Sequence, residues 1–264
     1  MQRTRTEALA GLMPDERERL ILERLRNDGR VLAAQLATEL NTSEHTVRRH
    51  LRDLADAGHC KRVYGGALLA SPADRPLAAR MQEDPQAKAR LAGVAASIVQ
   101  HGQVILLDVG STNAEIAAAL PDHADLTVIT TSPEVCVRLV HRPGFKVVLI
   151  GGSIGPRVGG AVGATALAQL QQIRADLCFV GVCALDPAEG LAAFDADDAE
   201  MKRAMIRASG LTAAAVTSAK LMRSAPFTVA PVAGLDYLIV EPEVQRTHLA
   251  QLRKVCDNVL VARS

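Results

Sequence analysis

A chain of 264 residues is long enough for one large domain or for a small and a medium one; 48% of its residues are apolar and only 2% aromatic, so any core must be built from Ala, Val, Leu and Ile. A formal net charge of +1 excludes a global polycation, and affinity for nucleic acid would have to come from local clustering. Five cysteines (Cys60, Cys136, Cys178, Cys183, Cys256), odd in number and without a CxxC pair, argue against a disulfide framework or a zinc site and for a reducing compartment.

No apolar run approaches the length of a bilayer crossing, and the opening MQRTRTEALAGL has no signal-like apolar segment, so a soluble cytoplasmic protein with no membrane partner is expected. Residues 1–12 read as a loose tail. Pro14 suits the first turn of a helix whose inner face is Leu20, Ile21 and Leu25, and Gly29 ends it. A short helix is expected over Val31–Leu40, with Leu32, Leu36 and Leu40 in register. Asn41 can take the left-handed conformation of a tight helix–helix turn, and Ser43 is placed to cap the next helix.

In that helix Val47, Leu51 and Leu54 form one apolar stripe, and Arg48, Arg49 and Arg52 fall opposite it. A short basic hairpin follows: Cys60-Lys61-Arg62-Val63-Tyr64, then Gly65-Gly66. Three arginines on a helix often mean no more than a solvated basic face. Preceded by a short helix and followed by a basic hairpin, they make a winged helix-turn-helix, whose recognition helix enters the major groove of duplex DNA.

The segment from Ser43 to Leu54, with Arg62-Val63-Tyr64-Gly65-Gly66-Ala67, resembles the N-terminal signature of DeoR-type transcriptional repressors. That family has a serine-capped helix carrying Thr-hydrophobic-Arg-Arg and a wing ending in Arg-Val-His-Gly-Gly-Ala. The resemblance implies a DNA-contacting set of Ser43, Thr46, Arg48, Arg49, Arg52, Lys61, Arg62 and Tyr64. His50 stands where the family has Asp, and Tyr64 where it has His. Both departures bear on the operator sequence rather than on DNA binding.

From Ala70 to Arg80 the chain reads SPADRPLAAR after its alanine, and two prolines with no apolar period mark a linker. The expected division is therefore a DNA-binding domain at 13–69, a linker at 70–83 and an effector-sensing, oligomerising domain at 84–264. A helix runs from Asp84-Pro85 toward Gln100, with Leu91, Val94 and Ile98 inward. Short apolar strands and amphipathic helices then alternate: Val104–Leu107, Ala114–Leu120, Leu126–Ile129, Pro133–His141, Lys146–Ile150, Ala164–Gln172, Leu177–Val182, Asp198–Ala208, Ala213–Val216, Tyr237–Val240, Val244–Lys254 and Val259–Val261. This pattern predicts an α/β domain with a mainly parallel sheet covered on both faces, its ligand beyond the carboxyl ends of the strands.

Those ends carry small and hydroxyl residues. Asp108-Val109-Gly110-Ser111-Thr112-Asn113 opens directly into a helix whose free N–H groups suit a phosphate, although such residues also cap helices that hold no ligand. Thr131-Ser132, Gly151-Gly152, Gly181 and Thr217-Ser218-Ala219-Lys220 end other strands, and together they outline an anion-accepting crevice. These pieces, with Lys202-Arg203-Ala204-Met205-Ile206, resemble the DeoR-type effector domain, which is related in fold to ribose phosphate isomerase and senses phosphorylated sugars. The implied effector set is Asp108, Gly110, Ser111, Thr112, Asn113, Thr131, Ser132, Gly151, Gly152, Gly181, Lys202 and Lys220, and the implied ligand a phosphorylated sugar or polyol.

Here too the chain departs from the family. Cys183-Ala184 replaces a small polar residue and a glycine, Ala192-Ala193 a pair of threonines, and Thr217 an aspartate. Each change removes polar groups that could hold sugar hydroxyls. Lys220 could meet a phosphate or remain solvated; Asp198 and Lys202, four apart on a helix, read as a surface ion pair. The histidines (His45, His50, His59, His101, His123, His141, His248) do not cluster with acids or cysteines at metal spacing, so neither a metal nor a cofactor is expected.

The resulting expectation is a repressor of sugar or polyol genes that binds operator DNA as a homo-oligomer (dimer or tetramer) and answers to a phosphorylated effector. The alternative is a sugar phosphate isomerase carrying a DNA-binding arm. It needs a general base, and the crevice loops offer only Asp108 and Asp195, so no catalytic residue is assigned. A dinucleotide-binding protein is disfavoured because Asp108–Asn113 lacks the GxGxxG spacing.

Overall fold

A computed structural model describes residues 14–57, 59–69, 75–122 and 124–263. The tail at 1–12, the first five residues of the expected linker, Gly58 and His123 lie outside the described residues. The chain divides into two compact units, Met1–Ser71 and Pro72–Ser264.

The smaller unit opens with α1 (Pro14–Asp28), β1 (Arg30–Leu32) and α2 (Ala33–Glu39). It continues through α3 (Glu44–Asp56), β2 (Cys60–Val63) and β3 (Gly66–Leu69). Asn41 is left-handed (φ 46°), which turns the chain sharply between α2 and α3. Ser43 caps α3: its Oγ accepts from the Thr46 N–H at 3.1 Å. Val47, Leu51 and Leu54 pack with Ile21, Leu25, Leu36 and Leu40 in a single core.

Two expectations change here. Val31 and Leu32 are strand, not helix. After the turn at Gly29 (φ 72°) they pair antiparallel with β3, which leaves the Leu32 side chain half exposed and adds a third strand to the wing, in the order β1-β3-β2. His50 is buried and Nδ1 lies 3.1 Å from Glu18 Oε1 on α1, so the residue that replaces the family's aspartate braces the recognition helix from behind.

The larger unit begins with α4 (Leu77–Met81) and α5 (Pro85–Ser97). Next come β4 (Val104–Leu107), α6 (Ser111–Ala119), β5 (Leu126–Thr130), α7 (Pro133–Leu139) and β6 (Phe145–Leu149). A two-strand ribbon of β7 (Ser153–Ile154) and β8 (Ala161–Val162) leads to α8 (Ala164–Leu170), β9 (Ala175–Phe179), β10 (Ala184–Asp186) and β11 (Gly190–Ala193). The unit ends with α9 (Ala196–Arg207), β12 (Ser209–Val216), β13 (Phe227–Ala230), β14 (Tyr237–Val240), α10 (Arg246–Leu252) and β15 (Val259–Val261).

The main sheet has seven strands, all parallel, in the order β15-β14-β12-β9-β4-β5-β6. Successive strand residues face opposite sides, so Ile105 and Leu107 join one core with α5, α6 and α7, while Leu106 joins another with α8, α9 and α10. Both faces of the central strands are buried, as continuous apolar strands require, while the edge strands β6 and β15 stay partly exposed. A small antiparallel sheet, β10-β11-β13, packs on the second core; its short strands gave no clear period in the sequence.

The expected linker is shorter than its prolines suggested. Leu77–Met81 is helical, Leu77 and Arg80 are buried, and the Leu77 N–H donates to the Pro156 carbonyl at 3.1 Å. This stretch belongs to the α/β unit. After β4 the chain moves to β5 and β6 on one side, and β9 then returns on the other. The order therefore reverses between β4 and β9, which opens a crevice at their carboxyl ends.

Gly66 is the tightest point of the wing: a Cβ there would lie 2.0 Å from the Val31 carbonyl oxygen. Gly66→Ala is expected to break the β1–β3 pairing. Hydrogen exchange should show faster amides at 30–32 and 66–68 with those of β4 and β9 unchanged.

Candidate effector pocket and nucleic-acid interface

In the smaller unit the side of α3 away from the core presents Arg48, Arg49 and Arg52, all exposed, and the wing adds exposed Lys61, Arg62 and Tyr64. Two shallow depressions separate helix from wing. One is lined by His45, Arg48, Arg49, Arg52 and Arg62; the other by Arg48, Arg62, Val63, Tyr64 and neighbouring glycines. Arg48 is held by Glu44 at 2.8 Å, one turn back, and Arg52 approaches Asp53 at 3.9 Å. Such exposed pairs contribute little and exchange readily for phosphate. Tyr64 stands fully exposed at the hairpin tip, since Gly65 (φ 81°) makes the turn beside it. Ser43 and Thr46 face each other across the first turn, their hydroxyls 2.9 Å apart. His45 joins this surface although spacing alone gave no reason to include it.

In the larger unit the crevice between β4 and β9 is closed at its floor by Asp108. Its Oδ1 accepts from the Val109 N–H and its Oδ2 from the Gly181 N–H, both at 2.7 Å. Oδ2 also accepts from Lys202 Nζ at 2.7 Å, and Lys202 reaches Asp198 Oδ1 at 2.8 Å. All three side chains are buried. The expected surface pair of Asp198 and Lys202 is thus an interior one: α9 lies against the second core and turns both residues inward. Burial alone would weaken the ammonium of Lys202, but Asp108 and Asp198 outweigh it and hold its pKa above the ordinary lysine value. Gly181 is needed at this point, because a Cβ would meet the Val109 carbonyl oxygen at 2.5 Å and Asp108 Oδ2 at 2.8 Å.

Asn113 locks the two strand ends together: its Nδ2 donates to the carbonyls of Asp108 (3.0 Å) and Phe179 (2.9 Å). A pocket above is lined by Gly110, Thr112, Asn113, Gly181, Cys183, Asp195, Asp198, Lys202 and Lys220, with Arg80 and Arg157 at its wall. An adjoining depression is lined by Ser111, Lys88, Ser218, Glu241 and again Arg80 and Lys220. The amino end of α6 therefore lies between two lobes. Among the described residues Thr112 Oγ1 is buried without a partner, and so is Glu241 Oε1, while Glu241 Oε2 accepts from Ser218 Oγ at 2.6 Å.

Lys220 is the group with the least compensation. Only 6% exposed, its ammonium donates to the Val182 carbonyl at 2.8 Å, and no carboxylate among the described residues lies within ion-pair distance. Burial pushes it down from the ordinary 10.5 to about 8, and Arg80, Lys88 and Lys202 nearby add to the shift against the Cys183 thiol.

The expected effector residues do not all converge. Asp108 is a buried counter-ion under the pocket. Thr131 is buried, with its carbonyl accepting from Ala161, and Ser132 Oγ accepts from the Val135 N–H at 3.4 Å to cap α7. Gly151 is tied to the Gln169 amide (3.2 and 3.1 Å), and Gly152 packs against Ala166. None of these four lines either lobe. Cys183, already placed at the crevice by the resemblance, does line it, as do Arg80, Lys88, Arg157 and Glu241, whose sequence surroundings gave no sign of it. Folding also gathers Glu18, His50 and Asp53 with ligand atoms within 4.8 Å, where spacing had shown no histidine–acid cluster, because α1 and α3 pack side by side.

A family model described as a DeoR-like helix-turn-helix domain matches residues 17–73, and one described as a DeoR C-terminal sensor domain matches 83–242. The glycerol-3-phosphate regulon repressor of Escherichia coli K12 is 29% identical over 84% of this chain and 88% of its own. The HTH-type transcriptional regulator GlpR of Haloferax volcanii is 30% identical over 87% and 91%. GolR of Listeria innocua is 27% identical over 89% and 93%. Among solved structures, ribose 5-phosphate isomerase A of Methanocaldococcus jannaschii aligns with 53% of this chain and 55% of its own, at 18% identity and a TM-score of 0.39. No helix among the described residues is long and apolar enough to cross a membrane.

Removing Lys202 leaves two carboxylates buried without a cation. Lys202→Met is expected to lower unfolding stability by about 3–5 kcal/mol. In a urea titration followed by far-UV circular dichroism, Lys202→Met combined with Asp108→Asn and Asp198→Asn should lose less than Lys202→Met alone.

Proposed function

The chain belongs to the DeoR family of transcriptional regulators, and from that premise we propose that it represses sugar or polyol genes in the cytoplasm until a phosphorylated sugar or polyol occupies the pocket. The observation that carries this reading is Lys220, a buried cation with no counter-ion among the described residues, beside the amino end of a helix. An anion there gains a charge-assisted hydrogen bond from Lys220 and the free N–H groups of Ser111 and Thr112. Thr112 Oγ1, unpartnered, supplies one more donor. Asn113, Asp195 and Asp198 border the first lobe and suit hydroxyl groups.

Chemistry on the bound sugar has no support. A general base must be free to take a proton, and both oxygens of Asp108 are engaged. The curated relatives are named as regulators.

On DNA, α3 would lie in the major groove with Arg48, Arg49 and Arg52 toward bases and phosphates, steadied by Ser43 and Thr46. Lys61, Arg62 and Tyr64 would hold the flanking backbone. A single unit of this modest charge binds weakly, so two or more copies joined through the α/β unit would engage spaced half-sites. Effector binding would favour an arrangement with the wrong spacing.

Gel retardation on the DNA upstream of its own gene tests the interface. Arg48→Ala with Arg49→Ala should abolish retardation while far-UV circular dichroism is unchanged, and Lys61→Ala should flatten the salt dependence by about 0.9 in log–log slope. Retardation equal to wild type in the double variant would contradict the assignment. The pocket is tested by pH. Lys220 loses its charge as pH rises through about 8, so sugar phosphate affinity should fall from pH 7 to 9, and Lys220→Met should remove that dependence. Calorimetry with glycerol 3-phosphate and fructose 6-phosphate reads the effect.

A further inference from the structure

Arg80 occupies an unusual place. It lies on α4, the first described element after Ser71, where the smaller unit ends, and it lines both lobes of the pocket. Its guanidinium is buried and, among the described residues, donates only to main-chain carbonyls: Nε to Arg75 at 3.0 Å, Nη2 to Arg157 at 2.8 Å and Val158 at 3.1 Å. Among the described residues no carboxylate lies within ion-pair distance of it. Burial weakens its hold on the proton, and Cys183, Asp198, Glu83 and Asp108 only partly offset that.

Its own carbonyl accepts from Lys88 Nζ at 2.5 Å, and that ammonium also donates to the Glu83 carbonyl. Lys88 is likewise buried and has no carboxylate within ion-pair distance among the described residues. Two cations joined in this way tie α4 to α5. Carbonyls are weaker partners for a guanidinium than a doubly charged oxyanion, which it can grip with two parallel hydrogen bonds.

We propose that Arg80 is an effector ligand, and that by gripping the anion from α4 it passes occupancy of the pocket to the chain segment leading to the DNA-binding unit. This rests on the reading of the pocket as an anion site. With an anion in either lobe, the Arg80 side chain turns from the 157–158 carbonyls toward it, and α4 follows because the guanidinium also holds Arg75. The anion then prefers one setting of α4 over another, and that differential affinity is what a ligand needs to shift a conformational equilibrium. The reciprocal effect follows: operator binding changes anion affinity by the same factor.

The test is hydrogen exchange on the full chain with and without inorganic phosphate, glycerol 3-phosphate, fructose 6-phosphate and fructose 1,6-bisphosphate. At least one of them should slow the amides of Leu77–Met81 together with those of 111–113 and 218–220. Protection of 111–113 and 218–220 with Leu77–Met81 unchanged would overturn the role of Arg80 while leaving the anion site standing. No protection anywhere, with all four at saturating concentration, would overturn both.

Two variants separate ligation from support. Arg80→Met should weaken binding of the protective compound by about tenfold or more, and Arg80→Lys, which restores charge without the fork, should recover part of it. Equal affinities in wild type and both variants would also refute the proposal. For release from DNA, each variant is compared with its own operator affinity before the anion is added.

Discussion

The α/β unit depends on one ammonium shared between two carboxylates at the point where strand order reverses. β4 and β9 diverge there, and a parallel sheet leaves main-chain groups at its carboxyl edge without ladder partners. Asp108 takes two of those N–H groups, Val109 and Gly181, and its remaining acceptor capacity is met by Lys202 from α9. A carboxylate in that position without a cation would carry the full desolvation penalty of a buried charge. With it, β4, β9 and α9 are held to one geometry, and the amino end of α6 is aimed at a fixed spot. The bareness of Gly181 follows from the same requirement, since any side chain there displaces the pair.

Much of this was legible in the sequence where a local rule is strong. Ser43 caps because a hydroxyl at that position meets a free N–H one turn on, and Asn41 turns because its side chain tolerates the left-handed well. The strand cores showed as short apolar runs, and the crevice followed from their parallel order. What escaped depended on partners distant in sequence. Val31 and Leu32 look helical until β3 arrives to pair with them. Asp198 and Lys202 fit a surface pair equally well until α9 is laid on the sheet; four-residue spacing says that two side chains meet, not on which side of the helix the solvent lies.

Arg80 shows the limit most clearly. Prolines at 72 and 76 interrupt the apolar period and mimic a linker over the whole stretch, yet one short turn after the second is enough to bury Leu77 and Arg80. A five-residue helix carries too little periodicity to be seen, and a buried arginine among loop residues has no signature of its own. Thr131, Ser132, Gly151 and Gly152 have the composition of a ligand loop but line neither lobe; Ser132 caps α7, Gly151 is tied to the Gln169 amide, and Gly152 sits close to Ala166.

Two lysines less than twenty residues apart in the chain, both in the interior, line the pocket with opposite partners. Lys202 has two carboxylates within 2.8 Å and is stabilised as a cation whatever occupies the crevice. Among the described residues Lys220 has a single carbonyl, and in this chain Thr217 stands where the resemblance places an aspartate. An acid at that position could have neutralised the lysine from within. Its absence leaves Lys220 with no carboxylate within ion-pair distance among the described residues. A buried cation with no counter-ion among the described residues costs stability, whereas at Lys202 two carboxylates offset that cost. The contrast separates two settings within one crevice: one ammonium closes the floor between two carboxylates, and the other is held by a carbonyl.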